Sequence, residues 1–290
     1  MKRLLTIVSI VVVVGVLTLT SSGGFAAALS AGEFTAGQEG EAKEKAWGTP
    51  TSQADHHAWK QISETFDIKK KANLAEKYLK DFPEGGYRPY AHEFIAVAAR
   101  QANDLDKFFL HAETALKELP DEVGLLVPLS VAMTEKQNPE PAIKHGERAL
   151  ELLPNTAAPE GYTEELWEKQ RNLLIADCHY SVGTSYLLKA FNSTSPGAEM
   201  KKAMDHLNLA VTMNPQDARS HFRLGFAYQM TKNLEGAVTE FARAAAIGDN
   251  LGQMAEVYLE KAYQSLHGNT DGLNDFVKEQ AKLLKEQAPK

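Results

Sequence analysis

Cysteine occurs once in this chain of 290 residues, at Cys178. That excludes an intramolecular disulfide, a multi-cysteine zinc site and a CxxC redox pair. The sequence has no GxSxG, no HExxH and no P-loop, so the local signatures of a nucleophile elbow, a zinc protease and a phosphate cradle are missing. No long block of one charge sign interrupts the chain. Its 31 Lys and Arg against 38 Asp and Glu leave a net charge of −7, whereas a nucleic-acid footprint needs clustered basic charge. No cysteine follows the one long apolar run, Leu4–Leu19, which excludes a lipid-modified N-terminus.

What is there is the composition of a folded soluble body: 43% hydrophobic and 24% charged residues, with a mean hydropathy of −0.33. The length allows two ordinary domains or one elongated array. Met1–Ala28 reads as a targeting segment, with Lys2-Arg3 as its positive end and Ala26-Ala27-Ala28 as small residues for cleavage. Its apolar core of 16 residues exceeds the usual signal core and falls short of a comfortable span. Export with cleavage near Ala28 and retention as an N-terminal membrane anchor both stand as expectations. Cleavage would move the net charge from −7 to −9 by removing two basic residues. Residues 29–50 read as a flexible, Gly-containing leader.

The most informative stretch is Ala218–Asp249. Leu224-Gly225 is followed by Tyr228, then Ala237, Phe241 and Ala244, with Thr231-Lys232-Asn233 as a polar turn between two helices. Gly225 and Ala244 let two helix backbones approach, and Leu224, Tyr228 and Phe241 fill the space around them. Asn233 is a natural N-cap. These residue types at these offsets resemble the tetratricopeptide repeat (TPR), a helix–turn–helix unit of about 34 residues.

The pattern recurs along the chain. In 160–215, Val182-Gly183 and Tyr186 match the first helix, and Ala203, Leu207, Ala210 and Pro215 the second. In 123–154 the matches are Leu129-Ser130, Met133, Ala142, Gly146, Ala149 and Pro154, with Pro128 expected to bend or shorten the first helix. In 88–120 they are Ile95-Ala96, the Asn103-Asp104 turn and cap, Ala112, Ala115 and Pro120, with Phe108 where the family has alanine. A weaker unit spans 51–83, its first helix from about Ser52 to Phe66. The closing slots Pro83, Pro120, Pro154, Pro215 and Asp249 lie 37, 34, 61 and 34 residues apart. The long interval reflects a Ser/Thr-rich loop, Asn192–Pro196, and one long helix expected from about Thr163 to Phe191, capped by Thr163. Residues 251–290 read as a capping pair: a helix over Met254–Leu266 stopped by His267-Gly268, then a Lys/Glu-rich helix over Gly272–Gln287 capped by Asp271.

The expectation is therefore an all-α chain. The resemblance implies a right-handed superhelical solenoid of about five TPR-like units, with the repeat array over 51–250 and capping helices after it. It also implies a concave groove whose ligand-facing residues sit second, fifth, ninth and twelfth in each unit. On matching positions these are Tyr90, Glu93, Val97 and Arg100; Val127, Val131 and Thr134; Asp177, Tyr180, Thr184 and Leu187; and Arg219, Phe222, Phe226 and Gln229. Tyr180, Arg219, Phe222 and Phe226 are the preferred anchors, since aromatic and Arg side chains dominate interfaces. The alternative is that the long helix or the C-terminal cap covers this face and makes Phe222 and Phe226 ordinary core. The set lacks the Lys/Asn cluster with which chaperone-binding members clamp a C-terminal carboxylate.

His111, His145 and His206 occupy the same slot of three successive second helices. In a solenoid such slots stand about 10 Å apart, too far for one ion with bonds of about 2 Å. His56-His57 are adjacent on a helix and diverge. Glu164-Glu165 and Lys69–Lys71 fit solvated helical faces, and Cys178 fits a small buried hydrophobe. These readings give no catalytic residue, no cofactor and no metal. They leave a non-enzymatic, exported or envelope-anchored scaffold that holds a protein or peptide partner and no nucleic acid. A structural subunit acting through its edges and termini, and a small-ligand or enzymatic pocket under the long helix, are the rival readings.

Overall fold

A computed structural model describes residues 48–159, 161–248 and 250–287. The targeting segment, nearly all of the leader and the closing slot at Asp249 lie outside the described residues. Every described regular element is helical: α1 (Gln53–Ser63), α2 (Ile68–Asp81), α3 (Arg88–Gln101), α4 (Leu105–Leu116), α5 (Val123–Glu135), α6 (Pro139–Leu152), α7 (Glu164–Phe191), α8 (Gly197–Met213), α9 (Ala218–Met230), α10 (Leu234–Ile247), α11 (Asn250–His267) and α12 (Leu273–Gln287). A short 3₁₀ turn, Leu153–Asn155, extends α6. From α1 to α11 each helix packs on the next in chain order, α5 packs on α7, α7 on α9 and α9 on α11 as well, and α12 packs on α10. The result is a series of nested α-hairpins whose cores merge from one hairpin to the next.

The helix ends follow from side chains named by the sequence. Thr163 caps α7, accepting from the Leu166 amide at 3.2 Å. Asp104 caps α4 and Asn233 caps α10, accepting from the Lys107 and Gly236 amides at 3.1 and 3.0 Å. The tight turns inside three hairpins need one left-handed residue each, supplied by Asn103, Gln137 and Lys232 at φ 57°, 56° and 63°; that conformation costs a non-glycine residue energy, which the flanking packing offsets.

Three boundaries differ from expectation. Pro128 neither stops nor shortens α5, which has 13 residues, as does α9. The lost amide bond is outweighed because Leu125, Leu126, Val127 and Leu129 around it are all buried. The helix expected from Met254 begins at Asn250. Asp271 does not cap α12: Gly272, at φ +81°, stands in that place and its carbonyl accepts from the Phe276 amide at 3.0 Å, while the Asp271 carbonyl takes a bond from the Tyr263 hydroxyl.

Paired helices meet through small residues. Ala91, Ala96, Ala112, Ala115, Ala142, Ala149, Ala203, Ala210, Ala237 and Ala244 are fully buried. A Cβ placed on Gly225 would lie 2.7 Å from Phe241 Cδ1, and one on Gly183 2.8 Å from Leu207 Cγ and 3.1 Å from the Ala203 carbonyl oxygen. Around this seam sit the large side chains: Trp59 stacked between Tyr87 and Phe94, with centroids at 4.9 and 5.5 Å, then Phe108, Leu129, Leu207 and Phe241. Hydroxyls tie α5 to α7 inside the apolar core. Ser130 Oγ donates to the Ala142 carbonyl at 2.7 Å and meets Ser181 Oγ at 2.6 Å, and Thr134 Oγ1 meets Ser185 Oγ at 3.0 Å.

Replacing Gly225 by Ala forces Phe241 to move and is expected to destabilise the protein by about 1–3 kcal/mol. Gly197→Ala meets nothing within 4 Å at the start of α8 and is expected to be neutral or stabilising by up to about 1 kcal/mol. Thermal unfolding followed by circular dichroism separates the two; equal effects would remove the close-approach account.

Candidate functional site

The residues expected along the first-helix face do gather, and most are less accessible than a bare groove requires. Tyr90, Glu93, Val127, Val131, Thr134, Tyr180, Thr184, Leu187 and Phe222 are buried, while Val97, Arg100, Asp177, Arg219, Phe226 and Gln229 are partly exposed. Phe222 and Phe226 form an aromatic cluster with Phe241 of α10 and Tyr258 of α11, Tyr258 standing 5.6 and 4.6 Å from their ring centroids. The first C-terminal helix thus covers this end of the face and makes Phe222 part of the core. Thr134 spends its hydroxyl on Ser185 and the Ser181 carbonyl of α7.

The centre of the face is Arg219. Its guanidinium lies over the Tyr180 ring at 4.6 Å, donates to Asp177 Oδ1 at 2.7 Å and reaches back to Asp217 Oδ1 at 2.8 Å. Burial opposes its charge, yet the carboxylates of Asp217 and Asp177 more than offset this and raise it above the usual guanidinium value. Asp177 shows the converse. Burial lifts its carboxyl above the ordinary range, and the Arg219 charge, with Arg100 of α3 contributing, only partly restores it. Three first helices therefore share one charge cluster, and Arg219 is committed to acids of its own chain rather than free for an anion.

Gln170, Asp177 and Thr184 recur every seven residues of α7, two helical turns apart, so they share one face. Gln170 Nε2 and Thr184 Oγ1 are buried and have no hydrogen-bond partner among the described residues. Such groups are rare in folded proteins, because leaving one unmade costs about 1–3 kcal/mol. Gln170 precedes the repeat-matched part of α7, which is why the spacing of the motif passes over it.

A second constellation joins the two helices of single hairpins. His92 of α3 meets His111 of α4, Nδ1 to Nδ1 at 2.8 Å, and His179 of α7 meets His206 of α8 at 2.9 Å. His221 of α9 and Glu240 of α10 hold the equivalent rung at 2.6 Å. The first-helix partners stand in one slot, between Tyr90 and Glu93, Asp177 and Tyr180, and Arg219 and Phe222. That recurrence is visible in the sequence, but only the second-helix histidines were singled out there. Pairing across each hairpin, not along the stack, is what brings two rings within hydrogen-bond distance. The His221 ring also places Nε2 3.0 Å from the Pro215 carbonyl, and Glu240 is held by Arg243 at 2.9 Å, so both ring nitrogens are engaged.

Elsewhere, an open groove of about 570 Å³ runs beside α6, walled by Leu126, Ile143, His145, Glu147, Tyr186 and Lys189 among others. Two ion pairs close on its own walls, Lys189 with Glu140 at 3.5 Å and Arg148 with Glu151 at 2.8 Å. Cys178 is fully buried, and burial pushes its thiol up, away from the reactive thiolate. Among the described residues no three metal-ligating side chains converge.

These networks generate two expectations. Arg219→Met leaves Asp177 and Asp217 unneutralised and is expected to cost about 2–3 kcal/mol in chemical denaturation; Arg219→Lys recovers part of this, since an ammonium cannot bridge both acids in one plane. The histidine pairs give a pH dependence. Burial, then the neighbouring ring, lowers His92 and His179 to about 4, and burial lowers His111 and His206 too. Unfolded imidazoles titrate near 6.5, so between about pH 6.5 and 4 the unfolded chain takes up protons that the folded pairs refuse. This contribution to stability is complete above about pH 6.5 and is lost as pH falls toward 4. In metal-free buffer the midpoint of thermal unfolding should fall over that window, and less steeply in His92→Phe/His179→Phe; an unchanged slope would assign the acid sensitivity to other groups.

Several solved structures are similar to this chain. They include a thermophilic TPR protein, TTC0263, of Thermus thermophilus (20% identity, 70% of this chain and 92% of that one, TM-score 0.44). The protein MamA (19% identity, 67% and 94%, TM-score 0.43) and the type IV pilus biogenesis factor PilW (14% identity, 81% and 94%, TM-score 0.47) are also similar. No protein-family model and no curated relative matches the sequence.

Proposed function

We propose that the protein is a non-enzymatic, TPR-like scaffold that holds an extended protein or peptide segment against the first-helix face centred on α7. The observation that carries this reading is the line Gln170–Asp177–Thr184 on that face, in which two buried polar atoms lack partners among the described residues. A turn of either side chain would bring its polar atom to the carbonyl and amide groups of a bound main chain, while the rigid helices keep the backbone ordering cost of binding small. Arg100, Phe226 and Gln229, partly exposed on neighbouring first helices, supply side-chain contacts to the same segment, and the Arg219–Tyr180 stack forms its floor.

A second reading, docking through outer surfaces and edges in an envelope assembly, draws on Phe66, Leu110 and Leu209, which are 90%, 64% and 47% exposed on the α1–α2 turn, α4 and α8. Export or anchoring through Leu4–Leu19 belongs to the same proposal. Among the described residues no helix is long and apolar enough to cross a membrane. Intact mass of the native purified chain distinguishes cleavage near Ala28 from retention.

A photo-crosslinking residue at Gln229, compared with one at Lys201 on the exposed side of α8, tests the face. The expected result is one polypeptide captured only from position 229. The isosteric pair Gln170→Met and Thr184→Val should abolish that capture while leaving stability within about 1 kcal/mol of the parent or above it, because buried unpaired groups are removed. Capture of the same set from both positions, or capture untouched by the pair, would overturn the reading.

A further inference from the structure

Two hairpins carry the same side-chain pair at the same rung, each ring anchored on a different helix. The rings of His92 and His111 are tilted by 41° with centroids 4.9 Å apart, and those of His179 and His206 by 48° at 5.1 Å. All four are partly exposed. We propose that each pair is a two-histidine site for a divalent cation of tetragonal geometry, Cu(II) foremost, with water in the remaining positions, and that the ion staples α3 to α4 and α7 to α8.

The close approach of the two nitrogens is compatible with neighbouring corners of a tetragonal site. With metal–nitrogen bonds of about 2.0 Å, adjacent corners of a square plane lie about 2.8 Å apart, whereas the tetrahedral angle of zinc needs about 3.3 Å. The observed Nδ1–Nδ1 distances are 2.8 and 2.9 Å. Imidazole suits Cu(II) and Ni(II) in that geometry, and the general affinity order places Cu(II) highest. Binding needs the rings to rotate. Turning each imidazole about its soft terminal torsion brings both Nδ1 lone pairs off the line between them and onto one point. The proton shared in the hydrogen bond passes through solvent to Nε2 of the ring that held it, so the pair stays neutral and no proton is released overall.

The other hairpins supply internal contrasts. The equivalent slots of α5 and α6 hold Leu126 and His145, one imidazole alone. In α9 and α10 the rung is His221 with Glu240, fully buried, and both nitrogens of His221 are engaged by Glu240 and the Pro215 carbonyl. Neither offers two convergent free lone pairs.

The test is a titration of the full chain with CuCl₂, NiCl₂ and ZnCl₂, read by thermal unfolding and, for copper, by electron paramagnetic resonance. Two equivalents of Cu(II) should bind with two-nitrogen hyperfine structure and together raise the unfolding midpoint by roughly 10 °C or more at a hundredfold excess over Kd, with Ni(II) and Zn(II) giving smaller shifts. His92→Asn/His179→Asn should lose both signals, and His111→Asn/His206→Asn, which breaks the same pairs from the other helix, should do likewise. His145→Asn and His57→Asn should keep them. A copper signal that survives in both pair-breaking variants, a one-nitrogen spectrum, or a larger stabilisation by Zn(II) than by Cu(II) would overturn the assignment.

Discussion

The structure depends on how closely two helix backbones can approach. At Gly183 and Gly225 a single added carbon would fall inside the contact distance of a partner side chain, and buried alanines hold the same seam elsewhere. Close approach is what allows a hairpin of two short helices to bury large residues on both sides, and merging each hairpin's core with the next extends that burial along the chain. A hairpin alone buries too little apolar area to offset the entropy of ordering it, so the stack is the stable object.

Once the seam is fixed, equivalent positions of successive hairpins are free to differ in chemistry. One rung holds His92 with His111, another His179 with His206, another His221 with Glu240. In the first two pairs burial lowers all four rings, and the partner ring adds to this at His92 and His179; the last is a buried ring set between a carboxylate and a carbonyl. A repeated scaffold thus offers one geometry for several polar uses, at the cost that each must satisfy its own hydrogen bonds. Where this is not done, as at Gln170 and Thr184, a buried polar atom is left without a partner among the described residues.

Close contact between first helices also explains why the expected groove residues are largely covered. Asp177 feels Arg219 and Arg100 from two different first helices, and α11 lays Tyr258 over Phe222 and Phe226. Along this face the Arg219 charge is balanced by Asp177 and Asp217.

Local chemistry was legible in the chain itself. Thr163, Asp104 and Asn233 declare helix starts because a short side chain satisfies an amide one turn on, and Gly225 with Phe241 declares a hairpin because the two must share one space. The rest was decided by tertiary structure. The sequence lists His92 and His111, or Tyr180 and Arg219, without stating that they touch, since contacts 19 or 39 residues apart depend on how helices rotate and stack. Whether Phe222 lines a groove or fills a core rests on where α11 folds back, and Pro128 stays helical because the burial around it outweighs one lost amide bond. Short-range order follows from residue type and spacing, whereas accessibility and pairing follow from the sum of many distant contacts.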